Sequence, residues 1–128
     1  MARFTLSKIE RLSSLKEIES LSTEGKSFVK YPIRLVWREV SDPRPSQVQA
    51  MFSVSKKKFS KAVDRNRIKR LMRESYRLLK PDFYLALPAG TSFHLGFVYT
   101  GNEILEFHDI QKSLSKALER LITQIRQE

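Results

Sequence analysis

Cysteine is missing from this chain of 128 residues, and glycine occurs only four times. Without cysteine, a disulfide scaffold and a thiolate metal site are both excluded, and the composition suits the cytoplasm, which is the location we expect. No apolar block of signal-peptide length follows Met1. The longest stretch without Asp, Glu, Lys or Arg, residues 83–102, contains proline, glycine and hydroxyl side chains. It is therefore a poor membrane span, and we expect no membrane association.

Acidic residues are few and dispersed. There are 14 Asp and Glu against 24 Lys and Arg, which gives a formal net charge of +10. Residues 55–80 hold eleven of the basic residues and only two acids, so the other 102 residues together carry about +1. One basic segment on a nearly neutral body predicts a surface that binds a polyanion. His94 and His108 lack metal-ligand spacing and the acids do not cluster, so we expect no metal site and no catalytic residue in the protein.

Apolar periodicity predicts a single domain, residues 1–128, of the α+β class, in which a small mixed β-sheet packs with three helices. The pattern predicts helices at 12–22, from Ser60 onward and at 107–128, and strands at 28–40, 48–55 and 93–100. In the first helix the spacing of Leu12, Leu15, Ile18 and Leu21 predicts one apolar face.

Proline and glycine mark the expected breaks between these elements. Pro32 lacks a backbone donor and predicts an edge, a bulge or a break within the first strand. Gly25 can take the left-handed conformation that a helix end often needs. Residues 41–46 are predicted as a turn or hairpin loop, and a hairpin would make the second strand antiparallel to the first. The connection after the basic helix is expected to begin at Pro81.

The basic helix has two distinct faces when its residues are placed at 100° intervals. The inward face is predicted to hold Asp64, Ile68, Leu71, Met72, Ser75, Leu78 and Leu79, with Arg67 and Glu74 on the border and able to pair with one another or with a partner. The outward face is predicted to hold Arg65, Asn66, Lys69, Arg70, Arg73 and Arg77. A merely solvated helix face typically mixes charges of both signs, because opposite charges at i,i+4 stabilise a helix. Here the i,i+4 pairs along the outward face are like-charged, which favours a nucleic-acid backbone as the partner.

Four lysines, Lys56, Lys57, Lys58 and Lys61, precede the helix and extend the positive surface towards its N-terminus, where free N–H groups also favour phosphate. The alternative for this segment is a flexible, solubilising loop. Asn66 adds a donor and an acceptor among the arginines, which suits ribose hydroxyls or base edges.

The segment AVDRNRIKRLMRESYR, Ala62 to Arg77, resembles the Arg-Asn-Arg helix of the bacterial ribonuclease P protein component. The preceding VSKKK, from Val54, is similar to the strand end of that family, and Gly25-Lys26-Ser27 stands after the short first helix as it does there. The resemblance covers nearly the whole chain.

This resemblance implies a fold like the second domain of ribosomal protein S5, with a left-handed β-α-β crossover. It implies that the helix binds ribonuclease P RNA and that a cleft between the sheet and the first helix holds the 5′ leader of precursor tRNA. The RNA, with bound Mg²⁺, performs the hydrolysis, and no protein partner is required. The RNA-facing positions carried over are Lys56, Lys57, Arg65, Asn66, Arg67, Lys69, Arg70 and Arg73, and Lys58, Lys61 and Arg77 complete the predicted RNA-binding set.

Two departures from the family pattern bear on the site. The family usually has a glycine between the lysines and the helix, where this chain has Phe59, either a stacking residue for RNA or a buried anchor. Many members carry two Phe in the first helix, and the matching positions here are Ile18 and Ser22. The leader-cleft candidates are therefore Ile18, Ser22, Arg34, Val36, Ser53 and Ser55.

Three other functions remain open from the residues alone. A ribosomal or ribosome-assembly protein of similar fold would share the basic helix but need no leader cleft. A protein nuclease or other RNA-processing enzyme would need clustered carboxylates to hold metal, and the acids here are dispersed. A reader of duplex DNA would be expected to show a few base-reading side chains on an otherwise neutral helix, whereas a uniformly cationic face fits the backbone of a folded RNA better.

Overall fold

A four-stranded mixed sheet organises the fold. The computed structural model describes residues 7–41 and 46–127. After a short 3-10 turn at Lys8–Glu10, the elements in chain order are α1 Leu15–Glu24, β1 Lys26–Lys30, β2 Ile33–Val40, β3 Val48–Val54, α2 Ala62–Ala86, β4 Ser92–Tyr99 and α3 Phe107–Arg126. This order confirms the predicted α+β class, and the break between β1 and β2 falls at Pro32 as expected.

The strands lie in the order β1-β2-β4-β3, with β4 inside the sheet. β1 and β2 form an antiparallel hairpin, β2 is also antiparallel to β4, and β3 runs parallel to β4. Of the two alternatives for residues 41–46, the hairpin is wrong, because β4 lies between β2 and β3. β4 carries no charged side chain other than His94 and is buried on both faces, so a central position covers it best. Most of the predicted hairpin loop, residues 42–45, lies outside the described residues.

α2 connects the parallel neighbours β3 and β4 and so forms a β-α-β unit. The left-handed sense implied by the resemblance stays a prediction. The main core lies between one face of the sheet and the helices α2 and α3, and it includes Leu35, Leu95, Phe97, Ile68 and Met72. The predicted apolar face of α3 is confirmed, since the following side chains are all buried: Ile110, Leu114, Leu118, Leu121 and Ile125.

The opposite face of the sheet is only partly covered. Leu12, Leu21 and Val36 form a small second cluster there, with Ile18 and Met51 packed against it. The predicted first helix starts later than expected, at Leu15, because Ser14 caps it by accepting a hydrogen bond from the Glu17 backbone N–H. Leu12 is buried ahead of the helix, whereas the expectation that Leu15 is buried is wrong, since it is 84% exposed.

α2 is longer than predicted. It continues through Pro81 to Ala86, so the connection expected at Pro81 is wrong. Side chains beyond the proline hold the helix on the core, because Phe83 is buried in the main core and the Tyr84 hydroxyl donates to the Glu10 carboxylate. The helix begins one residue later than expected, with Lys61 rather than Ser60 at the N-cap. Leu78, expected inside, is 42% exposed.

Gly25 ends α1 without the left-handed conformation that was expected, because its φ is −76°. The residue is required for space instead. A Cβ at this position would lie 2.4 Å from the carbonyl oxygen of Leu21 and 3.0 Å from that of Trp37. The absence of a side chain lets the chain pass closely between α1 and β2 before entering β1.

A buried ion pair fastens the N-terminal segment to α2. The Nζ of Lys80 lies 2.7 and 2.9 Å from the two carboxylate oxygens of Glu10. Tyr84 donates to the same carboxylate at 2.6 Å, and the backbone N–H and hydroxyl of Ser7 donate at 3.0 Å each. Burial alone would raise the pKa of the Glu10 carboxyl, but the hydrogen bonds from Lys80, Tyr84 and Ser7 outweigh it and lower the pKa. Lys80 therefore belongs to the basic segment in sequence but not to the basic surface.

We expect Glu10→Ala to lower the free energy of unfolding by about 3–5 kcal/mol, because it leaves the buried ammonium of Lys80 without its counter-charge. Urea unfolding at pH 7 measures the change. The paired variant Glu10→Leu/Lys80→Met removes both charges together and should cost much less. A loss as large in the paired variant as in Glu10→Ala would show that packing, not charge, dominates here.

The same pair predicts a pH dependence of stability. Since the pKa of Glu10 is lower folded than its ordinary value of 4.5, the stabilisation is fully present above about pH 4.5 and is lost as the pH falls through the folded value. The wild-type protein should therefore lose more stability between pH 5 and pH 3 than the paired variant, as measured by urea unfolding at each pH. Equal losses would contradict a lowered pKa.

Candidate nucleic-acid interface

The outward face of α2 carries the predicted cations. Asn66, Arg67, Arg70 and Arg73 are exposed, and Arg65, Lys69 and Arg77 are half-buried. The inward face holds Ile68, Met72 and Ser75, which are buried as predicted. The helix therefore separates charge from core as its periodicity indicated, and its exposed arginines fall within about two turns.

Two of the predicted RNA-binding arginines also make contacts within the protein. Arg77 pairs with Glu74, three residues before it, and its Nε donates to the carboxylate at 3.3 Å. This hydrogen bond lowers the pKa of the Glu74 carboxyl. The border pair suggested by the sequence, Arg67 with Glu74, does not form in this structure. Arg67 is left on the surface, while the charge of Arg77 is partly neutralised.

Arg65 braces the lysine loop, residues 55–61. Its Nη1 donates to the backbone carbonyls of Phe59 and Ser60, at 2.8 and 2.9 Å. Phe59 is 7% exposed, and its ring meets that of Tyr99 edge-on with centroids 6.0 Å apart. Of the two roles left open for Phe59, the structure has the buried anchor. An aromatic anchor and an arginine brace thus define the turn in which the family usually has a glycine.

The four lysines of the lysine loop differ in the contacts that they make within the protein. The ammonium of Lys58 donates to the carbonyl of Thr100 at 2.6 Å, and the backbone N–H of Lys57 donates to the Ser55 hydroxyl at 3.1 Å. The side chains of Lys56, Lys57 and Lys61 are exposed. The loop is held at several points, which disfavours the alternative of a flexible solubilising segment.

A groove of about 180 Å³ lies between α1 and the partly covered face of the sheet. Five of the six leader-cleft candidates line it, namely Ile18, Ser22, Arg34, Val36 and Ser53. The sixth, Ser55, does not line it, since it follows the end of β3 and its hydroxyl accepts from Lys57. The guanidinium of Arg34 is steadied by a 3.3 Å hydrogen bond to the Ser27 hydroxyl across the β1–β2 hairpin.

The groove contains residues that sequence reasoning missed. Leu21, Met51, Gly96 and Val98 complete its lining. The alternation of β3 could have identified Met51, which lies on the same face as Ser53. In the sheet Gly96 lies between Val36 and Met51, and Val98 lies between Arg34 and Ser53, positions that depend on the pairing of β4 with β2 and β3. No local pattern in the sequence contains that register.

A second groove, of about 310 Å³, continues from the first and reaches the basic helix. The two grooves share Ile18 and Met51, and the second is also lined by Arg11 and by Arg73 of α2. An extended ligand bound in the first groove can therefore pass over Ile18 and Met51 to the cationic face of α2 without leaving the protein surface.

The described part of the chain offers no group of three or more His, Asp or Glu side chains that could hold a metal ion. His94 is buried and its Nε2 lies 3.1 Å from the Gln49 side-chain oxygen, while His108 is exposed at the start of α3. Within residues 7–41 and 46–127, no helix has the length and apolar character needed to cross a membrane.

Known proteins share both the sequence and the fold. The model of the Ribonuclease P family matches residues 6–122. The ribonuclease P protein component of Porphyromonas gingivalis is 40% identical over 121 residues, which cover 94% of this chain and 88% of that protein. The one from Geotalea uraniireducens is 32% identical over 122 residues, covering 94% and 98%.

Solved structures give the same picture for the fold. The ribonuclease P protein of Staphylococcus aureus has a TM-score of 0.70 at 21% identity, over 89% of this chain and 96% of that chain. The one from Thermotoga maritima has a TM-score of 0.69 at 23% identity, over 87% and 96%. Fold and surface define a small α+β protein with a cationic helix beside an open groove. The chain belongs to the ribonuclease P protein family.

Arg65→Ala should act differently from Arg70→Ala, although each removes one cation from the same helix. Without Arg65, the carbonyls of Phe59 and Ser60 lose their hydrogen-bond donor. Backbone amides in residues 55–61 should then exchange hydrogen about tenfold faster, because the loss of one strong hydrogen bond makes local opening of the loop easier. Hydrogen exchange followed by mass spectrometry measures this. Equal exchange in the two variants would mean that Arg65 does not hold the loop.

Proposed function

We propose that this chain is the RNA-binding protein subunit of ribonuclease P, which assists the catalytic RNA in removing the 5′ leader from precursor tRNA. The observation that carries the proposal is the continuity of two surfaces, since the groove beside α1 leads through Ile18 and Met51 to Arg73 on the cationic face of α2. A protein that binds only one folded RNA needs the cationic face alone. A groove joined to that face can bind a second, single-stranded RNA segment beside the first RNA.

The cationic face of α2 is the proposed contact with ribonuclease P RNA. Its like charges repel one another in the free protein, and phosphates relieve that repulsion while condensed counterions are released. Lys56, Lys57 and Lys61 extend the contact towards the N-terminus of the helix, where backbone N–H groups also favour phosphate. Asn66 contributes a donor and an acceptor for ribose hydroxyls or base edges.

The groove is the proposed contact with the leader. Ile18, Val36 and Met51 offer apolar surface for bases, and Arg34 offers a charge for a phosphate. The hydroxyls of Ser22 and Ser53 can bond to sugars or base edges. No aromatic side chain is among the residues that line this groove, so base stacking contributes little and the leader is held more weakly than on an aromatic platform.

Binding is the whole contribution of the protein in this proposal. In this proposal the catalytic Mg²⁺ is held by the RNA subunit and the substrate. Cations placed between two polyanions reduce their mutual repulsion, which lowers the Mg²⁺ concentration needed to bring them together. The proposed place of action is the cytoplasm, with precursor tRNA as the substrate and no further protein partner.

The decisive experiment is cleavage of a precursor tRNA in low Mg²⁺ by a bacterial ribonuclease P RNA, with and without this protein. The proposal expects cleavage to be restored by the protein and to vanish when the RNA is omitted. Cleavage by the protein alone would make it a nuclease. RNA binding without any effect on cleavage would favour a ribosomal or ribosome-assembly protein.

Removing three cations from α2 should weaken RNA binding and flatten its salt dependence. In Lys69→Ala/Arg70→Ala/Arg73→Ala, the slope of log K against log salt should fall by about three, one for each lost phosphate contact. Arg65 is left in place because it braces the lysine loop. Filter binding between 50 and 300 mM salt measures the slope, and thermal unfolding checks the fold. Arg126→Ala, an exposed cation at the end of α3, should leave the slope unchanged. A triple variant with the wild-type slope would refute the assignment of this face.

Adding an aromatic ring to the groove should strengthen leader binding. Ser22 lines the groove from α1, so Ser22→Phe offers a stacking surface worth about 1–3 kcal/mol per base. The holoenzyme should then bind precursor tRNA at least about fivefold more tightly, while its affinity for mature tRNA, which lacks a leader, stays the same. Ser22→Leu is the matched control for added apolar bulk without a ring. An equal gain with mature tRNA would place the effect outside the leader contact.

A further inference from the structure

A second basic patch lies at the end of the sheet near the β1–β2 turn, away from the cationic face of α2. Lys30, Lys112 and Lys116 line an open groove of about 510 Å³ together with Tyr31 and Asp109. Three cations face one acid there. Neither the sequence pattern of α2 nor the groove beside α1 includes any of these residues, so the patch has no role in the function proposed above.

Tyr31 presents an exposed ring on a firmly held turn. Its side chain is 65% exposed. The backbone on either side of it is fixed, since Thr100 donates to the Pro32 carbonyl through its N–H at 2.6 Å and its hydroxyl at 3.0 Å, and the Ser113 hydroxyl donates to the Lys30 carbonyl. Gly101 lies beside the tip of the side chain, because a Cβ there would be 3.3 Å from the Tyr31 hydroxyl. An exposed aromatic ring on a fixed backbone loses little freedom when a base stacks on it.

The charges around Tyr31 are arranged for an anion. Lys112 and Lys116 are exposed at i,i+4 on α3, a spacing at which like charges destabilise a helix. Their repulsion is relieved when phosphates lie between them, as on the outward face of α2.

The patch is continuous with the lysine loop. Val54, which leads into that loop, and Ile33, which follows the Tyr31 turn, are both paired with Tyr99, so the loop and the turn meet at the same end of the sheet. Lys58 bonds to the Thr100 carbonyl, and Thr100 bonds to the carbonyl of Pro32. Two hydrogen bonds thus separate the N-terminal end of the RNA-binding surface from the Tyr31 turn.

We propose that Tyr31, with Lys30, Lys112 and Lys116, forms a second RNA contact, in which an unpaired base stacks on Tyr31 and the lysines bind the adjoining phosphates. The inference rests on the proposed function, because it extends the same ribonucleoprotein interface around the end of the sheet. An unpaired nucleotide is the ligand that combines an exposed π-face with negative charge. That nucleotide belongs either to ribonuclease P RNA or to precursor tRNA.

The test measures binding of the full chain to a transcribed bacterial ribonuclease P RNA alone, and binding of the assembled holoenzyme to precursor tRNA. Tyr31→Ala should weaken one of the two by about tenfold, and Tyr31→Phe, which keeps the ring, should restore it. Lys112→Ala/Lys116→Ala should lower the salt slope of the same interaction by about two. Arg126→Ala, on the same helix about 15 Å beyond Lys116, removes one charge and should have no effect.

The source of the nucleotide follows from which interaction changes. A loss with the RNA alone assigns the contact to ribonuclease P RNA, and a loss seen only with precursor tRNA assigns it to the substrate. Wild-type binding in both assays by Tyr31→Ala and by the double lysine variant overturns the proposal, provided that the α2 triple variant still binds weakly. If the α2 triple variant also binds normally, the proposed function itself fails. Thermal unfolding of each variant excludes loss of the fold as the cause.

Discussion

The burial of β4 between β2 and β3 is the constraint on which both candidate surfaces depend. On one face of this strand, Leu95, Phe97 and Tyr99 belong to the main core that α2 covers, and the ring of Phe97 lies 5.3 Å from that of Tyr76 on α2. On the other face, Gly96 and Val98 form the floor of the groove beside α1. Because side chains alternate along a strand, one element sets the position of the cationic helix and the depth of the groove together. A slip of one residue in its pairing would exchange the two faces and abolish both.

Charge is used inside the protein as well as on its surface. Of the eleven cations in residues 55–80, four make contacts within the chain: Lys58 and Arg65 with backbone carbonyls, Arg77 with Glu74, and Lys80 with Glu10. These four hold the lysine loop, the helix surface and the N-terminal segment in place. Some cations of this segment therefore stabilise the structure of the interface, while the others face outward. A count of basic residues overstates the number of cations available to a ligand.

The sequence predicted those features that depend on local periodicity. The two faces of α2 and the apolar face of α3 follow from a period of 3.6 residues, and the break at Pro32 follows from the missing donor. Features set by distant contacts could not be read in the same way. The central place of β4 depends on a comparison among all strands, and the continuation of α2 past Pro81 depends on Phe83 packing in the main core and on Tyr84 bonding to Glu10, 74 residues away. The role of Lys80 is similar, since its partner lies 70 residues away.

The groove was predictable for a different reason. Five of its lining residues were named from a family resemblance, which carries information on strand pairing that a single sequence lacks. Arg11, which lies along the continuation of the groove towards α2, was missed because the segment before α1 has no periodic pattern. Its position follows from an isolated parallel bridge between Arg11 and Ala50.

Contacts between residues far apart in the sequence complete the fold, and this has a consequence for synthesis of the chain. Glu10 meets Lys80 across 70 residues, and Ser113 meets Lys30 across 83. The first strands cannot be covered until α3 has left the ribosome, because α3 packs on β1 and β2. Chains dominated by such distant contacts fold slowly. The basic segment is thus translated and exposed to the surrounding ribosomal RNA before the last helix can complete the fold.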